Sequence, residues 1–264
     1  MSTQSSRGPD SPRPLDQSAG KNRPSAADLQ RLYGRYARLG IFDLLTTFTL
    51  VGGGSRQKLV SALRLDPGDR VLDVGCGTGL GFETLVSALG TQGSLVGVDL
   101  TSAMLQRAEQ RIEGRRWANI ELTRADAARL PFADHSFSAV CSTLALSLVP
   151  DWRAAIDECW RVLKPAGRLA LIDVAPASGW RRAIAPLFNQ VNHRLAGWKP
   201  PGPDLIGTFS DLSPITGMQR LPPLGVWMLL WVEKLGDGAA QVSVVEDSVA
   251  RAQRELIPRF TGHL

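Results

Sequence analysis

Three aspartates and a run of glycines are the residues whose types and spacing can do chemistry in this chain. Val71-Leu72-Asp73-Val74-Gly75-Cys76-Gly77-Thr78-Gly79 is a β-branched apolar run that passes into a glycine-rich turn. Glycine at such a turn lets the backbone fold back sharply and approach a ligand without a Cβ in the way. A helix starting beside the turn offers free N–H groups to a carboxylate or other anionic end. Asp73 lies inside the first apolar run, Asp99 closes the second at Val96-Gly97-Val98-Asp99, and Asp126 follows the third in Arg124-Ala125-Asp126-Ala127. A carboxylate at a strand tip can accept both hydroxyls of an adenosine ribose, and the next one along can accept from an adenine amino group. A lone aspartate after a strand is commonly a helix cap or turn residue. Three in register behind a glycine loop point instead to the ligand-binding edge of an open α/β sheet.

The spacing selects among ligands. A dinucleotide fingerprint has glycines at relative positions one, three and six. Gly75 and Gly77 fit, but position six is Leu80 and the third glycine comes early, at Gly79. Asp73 would repel a pyrophosphate and suits a ligand with a cationic portion, such as an amino-acid ammonium group. A nicotinamide-dependent oxidoreductase is therefore disfavoured.

The elements that must position these residues alternate regularly. Apolar runs at residues 70–74, 94–98, 119–123, 138–142 and 168–174 read as strands. Helical patterns fall between them at residues 79–88, 102–112 and 152–163, the last ending at Lys164-Pro165-Ala166-Gly167. Such alternation implies βαβ units and a parallel sheet covered on both faces. Upstream, Leu29, Leu32, Tyr33, Tyr36, Leu39, Phe42 and Leu45 recur at helical spacing, and a short helix covers residues 56–63. Downstream, residues 180–197 read as a basic helix, 225–232 as a late strand and 239–256 as a helical tail. The expected organisation is a disordered leader at residues 1–25, a helical lid at 26–66, a main domain at 67–235 and a helical tail at 236–264.

Composition sets wider bounds. With 264 residues, 44% apolar and 21% charged, the chain can bury a sizeable core. Thirty basic residues against 25 acidic ones give a formal charge of +5, a mild attraction to anionic partners. Cys76, Cys141 and Cys159 form no CxxC pair and lie far from His135, His193 and His263, so no metal site and no disulfide framework is implied. The leader, rich in Ser, Pro and Arg, lacks the apolar core of a signal peptide, and no apolar run is long enough to span a bilayer, which predicts a cytoplasmic protein.

The segments VLDVGCGTG, GVDLTSAML, ADAARLPFADHSF and RVLKPAGRLALID resemble the successive motifs of class I S-adenosylmethionine-dependent methyltransferases. The nearest branch holds small-molecule methyltransferases of the ubiquinone and menaquinone biosynthesis kind. The resemblance implies an α/β fold: a doubly wound, mostly parallel seven-stranded Rossmann-like sheet with an N-terminal helical lid. It implies S-adenosyl-L-methionine as cofactor, with Gly75 and Gly77 against it, Asp99 on the ribose, and Asp126 with Ala127 framing the adenine. Met104 would pack on the adenine face, Thr143 and Leu144 would lie near the sulfonium, and Asp73, Cys76, Gly79 and Leu100 complete the set.

One departure stands at Leu144-Ala145-Leu146-Ser147-Leu148-Val149-Pro150-Asp151-Trp152, where many relatives carry a histidine pair at the positions of Ser147 and Leu148. This argues against a catalytic histidine there and for an apolar acceptor pocket. An Asn/Asp-Pro-Pro-aromatic tetrad is also absent, which disfavours DNA amino-methylation. No catalytic base announces itself. His193 is a weak candidate, if its helix folds over the cofactor mouth; His135 is expected in a solvent-facing loop; Asp173 either faces the pocket or caps a turn. The expected function is methyl transfer to a quinone, phenol or natural-product-like acceptor. The alternatives are phospholipid N-methylation at a membrane surface and a non-catalytic S-adenosylmethionine-binding protein. Trp180, Phe188 and Trp198 among the basic residues 181–199 motivate peripheral membrane contact.

Overall fold

The computed structural model describes residues 25–39, 43, 53–180, 182–183, 185–187, 190, 204–221 and 226–235. Among the described residues, helices α1 (Ala26–Leu39) and α2 (Gly53–Leu63) come first. They are followed by β1 (Arg70–Val74), α3 (Phe82–Leu89), β2 (Ser94–Asp99), α4 (Ser102–Arg115), β3 (Ile120–Arg124) and β4 (Phe137–Thr143). Next come α5 (Trp152–Val162), β5 (Leu163–Val174), α6 (Leu205–Leu212), β6 (Ile215–Leu221) and β7 (Trp227–Glu233). The seven strands form one sheet in the order β3-β2-β1-β4-β5-β7-β6. The pairs among β1 to β5 are parallel, and β7 runs antiparallel between β5 and β6. This is the doubly wound, mostly parallel sheet expected from the motifs.

The central strands are near-continuous apolar runs because both of their faces are covered. Alternate residues of each strand go to opposite cores. Leu72, Val96, Val140 and Leu169 join one, while Val71, Leu95, Ala139 and Ala170 join the other. The first core is closed by α5, which buries Ala155, Ile156, Cys159 and Val162 on one stripe. Asp151 caps its start by accepting from the Ala154 N–H at 3.2 Å. The second is closed by α2 and α3, through Leu59, Leu63, Phe82, Leu85 and Leu89. Arg168, nearly buried in β5, ties the layers together by donating to Glu233 at 2.6 Å and to the Ala62 carbonyl at 3.1 Å.

Several boundaries differ from the sequence expectations. The helix expected from residue 79 begins at Phe82, because residues 75–81 are spent on turns (Gly79 N–H to Cys76 O, Phe82 N–H to Gly79 O). The Lys-Pro-Ala-Gly segment lies inside β5 and does not simply end the preceding helix. Leu163 pairs with Phe137, the register then shifts before Arg168, and Ala166 and Gly167 bond to the backbone of Lys234. α6 and β6 were not anticipated; β6 is an edge strand with mixed burial and no clean alternation. Residues 1–24 of the expected leader (1–25), most of the basic helix (180–197) and the helical tail (239–256) lie outside the described residues. Among the described residues no helix is long and apolar enough to cross a membrane.

Phe82 is fully buried, and its ring fills the space that side chains at Gly79 and Gly97 would need. Phe82→Ala is expected to destabilise the protein by about 3–5 kcal/mol. Urea unfolding should show a lower midpoint with an unchanged slope.

Candidate functional site

A cavity of about 460 Å³ opens at the C-terminal ends of β1, β2 and β4. The strand order reverses direction between β1 and β4, which is where open α/β sheets bind ligands. The volume falls within the range of small-molecule sites.

The floor is the glycine loop after β1, held by the end of β2. The Gly75 and Cys76 N–H groups both donate to the Val98 carbonyl, at 2.8 and 2.9 Å. The next N–H, from Gly77, donates to Asp99 Oδ2 at 3.0 Å, and Thr101 N–H donates to Oδ1 at 2.8 Å. Gly75 has φ +72°, and a Cβ there would collide with the Ala145 methyl in the loop after β4. Its glycine is thus demanded by the meeting of two loops, beyond any need of a ligand. Gly79 does not line the cavity; its missing side chain accommodates the Phe82 ring.

The acids differ in setting. Asp73 is buried, and desolvation pushes its carboxyl up from 3.8 to about 7, against the lowering effects of the Cys141 thiol and the Arg56 charge. The thiol donates to it across 3.7 Å. Burial also raises Asp99, offset by the N–H groups it accepts. Asp126 is exposed at the rim, with Oδ1 accepting from Ala128 N–H at 3.0 Å. Asp173 is not among the cavity-lining residues. It is buried and accepts from the N–H groups of Ser147 (3.0 Å) and Val174 (2.7 Å), so it fastens the loop after β4.

That loop supplies the apolar wall. Leu144 sits at φ +57°, an uncommon left-handed conformation for a leucine, with its N–H on the Ile172 carbonyl at 2.8 Å. The short 3₁₀ turn Leu146–Leu148 buries Leu146 and Ser147, while Leu148, Val149 and Pro150 line the cavity.

α1 covers the opposite side through Leu29, Gln30 and Tyr33. It is seated on α4: Arg107 donates to the Ala37 carbonyl at 3.0 Å, and Gln30 donates to the Leu100 carbonyl at 3.2 Å. Arg111 pairs with Asp43 at 2.6 Å and donates to the Thr78 carbonyl at 2.9 Å. Burial raises the Tyr33 hydroxyl above its usual range, so it stays protonated and can donate but not act as a base at neutral pH.

Asp73, Gly75, Cys76, Gly77, Asp99, Leu100, Met104, Asp126, Ala127, Thr143 and Leu144 all line this one cavity. His135 is exposed before β4, at the opposite edge of the sheet, and His193 lies outside the described residues. The sequence reading did not assign several of the lining residues to the site, among them Thr78, whose hydroxyl donates to Asp43 at 2.5 Å, and Arg56. The signal for Arg56 was its helical spacing with Leu59 and Leu63, which puts it on the buried stripe of α2.

The floor, wall and three strand-tip acids can be set beside known proteins. Residues 71–167 match the family model described as methyltransferase domain. Over those residues the chain is similar to methyltransferase domains. A demethylmenaquinone methyltransferase of Listeria welshimeri is 33% identical over 138 residues, which are 52% of this chain and 58% of the relative. The chain thus spans somewhat over half the length of that curated relative. A putative methyltransferase from Bacillus halodurans superimposes with a TM-score of 0.57 at 20% identity, covering 69% of this chain and all of that one. The [4+2]-cyclase SpnF gives a TM-score of 0.61 at 17% identity over 81% of this chain and 97% of its own. These two likenesses show the fold, and the second shows that the fold of the methyltransferase domain hosts other reactions.

Two outcomes follow from this geometry. Because the folded pKa of Asp73 lies above its ordinary 3.8, folding takes up a proton, and stability falls as pH rises from about 4 to about 7. Ligand-free Asp73→Asn should be more stable than wild type at pH 8 by on the order of a few kcal/mol, and the gap should vanish below about pH 4. Denaturant titrations across pH measure this. Gly75→Ala should lose more than about 2 kcal/mol from strain and clash together. Adding Ala145→Gly should recover the clash and leave about 1–2 kcal/mol of backbone strain.

Proposed function

We propose that this protein transfers a methyl group from S-adenosylmethionine to a small, largely apolar acceptor of the quinol or phenol class. The observation that carries this reading is one cavity containing both an acidic strand-tip floor and an apolar wall. Asp99 offers acceptor oxygens to a ribose, Asp126 and Ala127 stand at the rim for an adenine, and buried Met104 offers an apolar face. Asp73 lies at the deep end for an ammonium group. When bound, S-adenosylmethionine supplies an electrophilic methyl on a sulfonium. The chain's part is alignment and exclusion of water, by Leu148, Val149 and Pro150 on one side and by α1 on the other. Among the described residues no histidine lines the cavity. The acceptor would thus bring its own nucleophilicity, as a quinol ring or phenolate can. The acceptor class follows from the apolar wall and from the demethylmenaquinone methyltransferase relatives.

On this reading residues 26–66 act as a lid on a domain spanning 67–235. Calorimetric titration should show binding of S-adenosylhomocysteine and none of NAD. Asp99→Ala should weaken binding by about 100-fold or more, since the variant loses the ribose acceptor and the anchor of Gly77 and Thr101 together. Incubation with methyl-labelled cofactor and a reduced naphthoquinone should transfer label to the quinol. Tight NAD binding, or indifference to S-adenosylhomocysteine, overturns the assignment.

Contact with a lipid surface has its own support. Trp180 and Leu187, beyond β5, are 57% and 66% exposed, and Arg182 lies between them. Co-sedimentation with anionic vesicles at low salt is expected to fall at least threefold in Trp180→Ser/Leu187→Ser. Equal pelleting of the two proteins would remove the lipid contact.

A further inference from the structure

We propose that Asp151 binds the hydroxyl of the acceptor through the carboxylate oxygen that its helix cap leaves unused, and so selects hydroxylated rings over their ethers. This rests on the function proposed above and names the group of the acceptor that the site reads.

The carboxylates among the described lining residues fall on two sides of the cavity. Asp73, Asp99 and Asp126 stand at or just beyond the ends of β1, β2 and β3, the half of the sheet given to the cofactor in the proposed reading. Asp151 follows β4. The strand order β3-β2-β1-β4-β5 puts that loop on the other half, across from the three acids. In the chain Asp151 comes directly after Leu148, Val149 and Pro150, so the apolar wall ends in a carboxylate at the exposed rim. The first three acids have tasks toward the cofactor. Asp151 has none there, and it borders the surface left for the acceptor.

Its evident local use is to start α5, and that use occupies half of the side chain. Oδ1 accepts from the Ala154 N–H at 3.2 Å, while the Asp151 carbonyl accepts from the Ala155 N–H at 3.1 Å. Among the described residues Oδ2 has no hydrogen-bond partner. Serine or asparagine caps a helix as well as aspartate does, so the cap alone calls for neither a second oxygen nor a charge. An ionised carboxylate accepts and never donates. A phenol or quinol hydroxyl is the donor that suits it. An aryl ether has no proton to give, and a quinone carbonyl would meet Oδ2 lone pair to lone pair. With its hydroxyl held at the end of the wall, a ring lies against Leu148, Val149 and Pro150, its apolar body buried and its polar end at the rim.

The test uses the full chain saturated with S-adenosylhomocysteine and two stable probes, α-naphthol and its methyl ether. In calorimetric titrations wild type should bind the naphthol about 10-fold more tightly than the ether. In Asp151→Asn the amide oxygen keeps the cap, and the amide nitrogen stands where Oδ2 stood, a donor in place of an acceptor. That variant should bind the two probes within about twofold of each other or favour the ether. Its urea midpoint should be unchanged, and its affinity for S-adenosylhomocysteine should stay within about threefold of wild type, because the cap is retained. Asp151→Ser, which caps without presenting a carboxylate, should lose the preference as well. The proposal falls if wild type does not discriminate between the probes, or if either variant keeps the preference for the naphthol. Wild type that binds S-adenosylhomocysteine but neither probe overturns the acceptor class proposed above, and this proposal with it. Wild type that does not bind S-adenosylhomocysteine overturns the methyl-transfer reading itself, so the failures are distinguishable.

Discussion

Three consecutive backbone N–H groups, from Gly75, Cys76 and Gly77, are all accepted by the last two residues of β2, and the site depends on that seam. The glycine loop has no regular secondary structure to satisfy its donors, and each buried N–H left bare would cost about 1–3 kcal/mol. Val98 provides a carbonyl and Asp99 a carboxylate, so the loop is laid across the tip of the neighbouring strand. The other oxygen of Asp99 accepts from Thr101 and so sets where α4 begins. α4 then carries Arg107 and Arg111, which hold the N-terminal segment. Floor, adjoining helix and cover are thus linked through one carboxylate.

The fold accepts cost at and just behind the cavity. Asp73, Asp99 and Asp173 are all raised by burial, and Leu144 adopts a left-handed conformation. The acids divide by what answers them. Asp173 is met by two backbone N–H groups and holds the wall in place, away from the cavity surface. Asp73 is met by the weakly donating Cys141 thiol and by the favourable charge of Arg56, and it faces the cavity. Two buried acids that face one cleft beside a left-handed leucine fit a ligand site.

The parallel core was legible because β1, β2, β4 and β5 are buried on both faces and carry almost unbroken apolar runs. The acids at their tips were legible because a strand end followed by a glycine or an aspartate has few other uses in series. Boundaries failed where tertiary bonds replaced local preference. The Lys-Pro-Ala-Gly turn is drawn into β5 by the backbone of Lys234, a partner some 70 residues away in sequence that no local pattern announces. β6 was hidden because an edge strand half open to solvent needs no clean alternation. Arg56 escaped for another reason: an arginine on a helix is read as solvent-facing by default, and only its register with Leu59 and Leu63 says otherwise.

The departure at Ser147 and Leu148 acquires a physical meaning once the wall is in place. Ser147 is turned inward and pinned through its N–H to Asp173, so the chain must present its next residues to the cavity. Those residues are Leu148, Val149 and Pro150, none of which can donate or accept a proton. The cavity is therefore polarised, with carboxylates at the strand tips and hydrocarbon on the loop after β4. Methyl transfer from a sulfonium disperses a localised positive charge, so a dry, low-dielectric wall beside the acceptor favours the transfer over solvation of the separated ends. A histidine pair at those two positions would bring water and hydrogen-bonding partners to that wall. On the proposed reading, the wall of Leu148, Val149 and Pro150 suits acceptors with a nucleophilic centre of their own and an apolar body to bury.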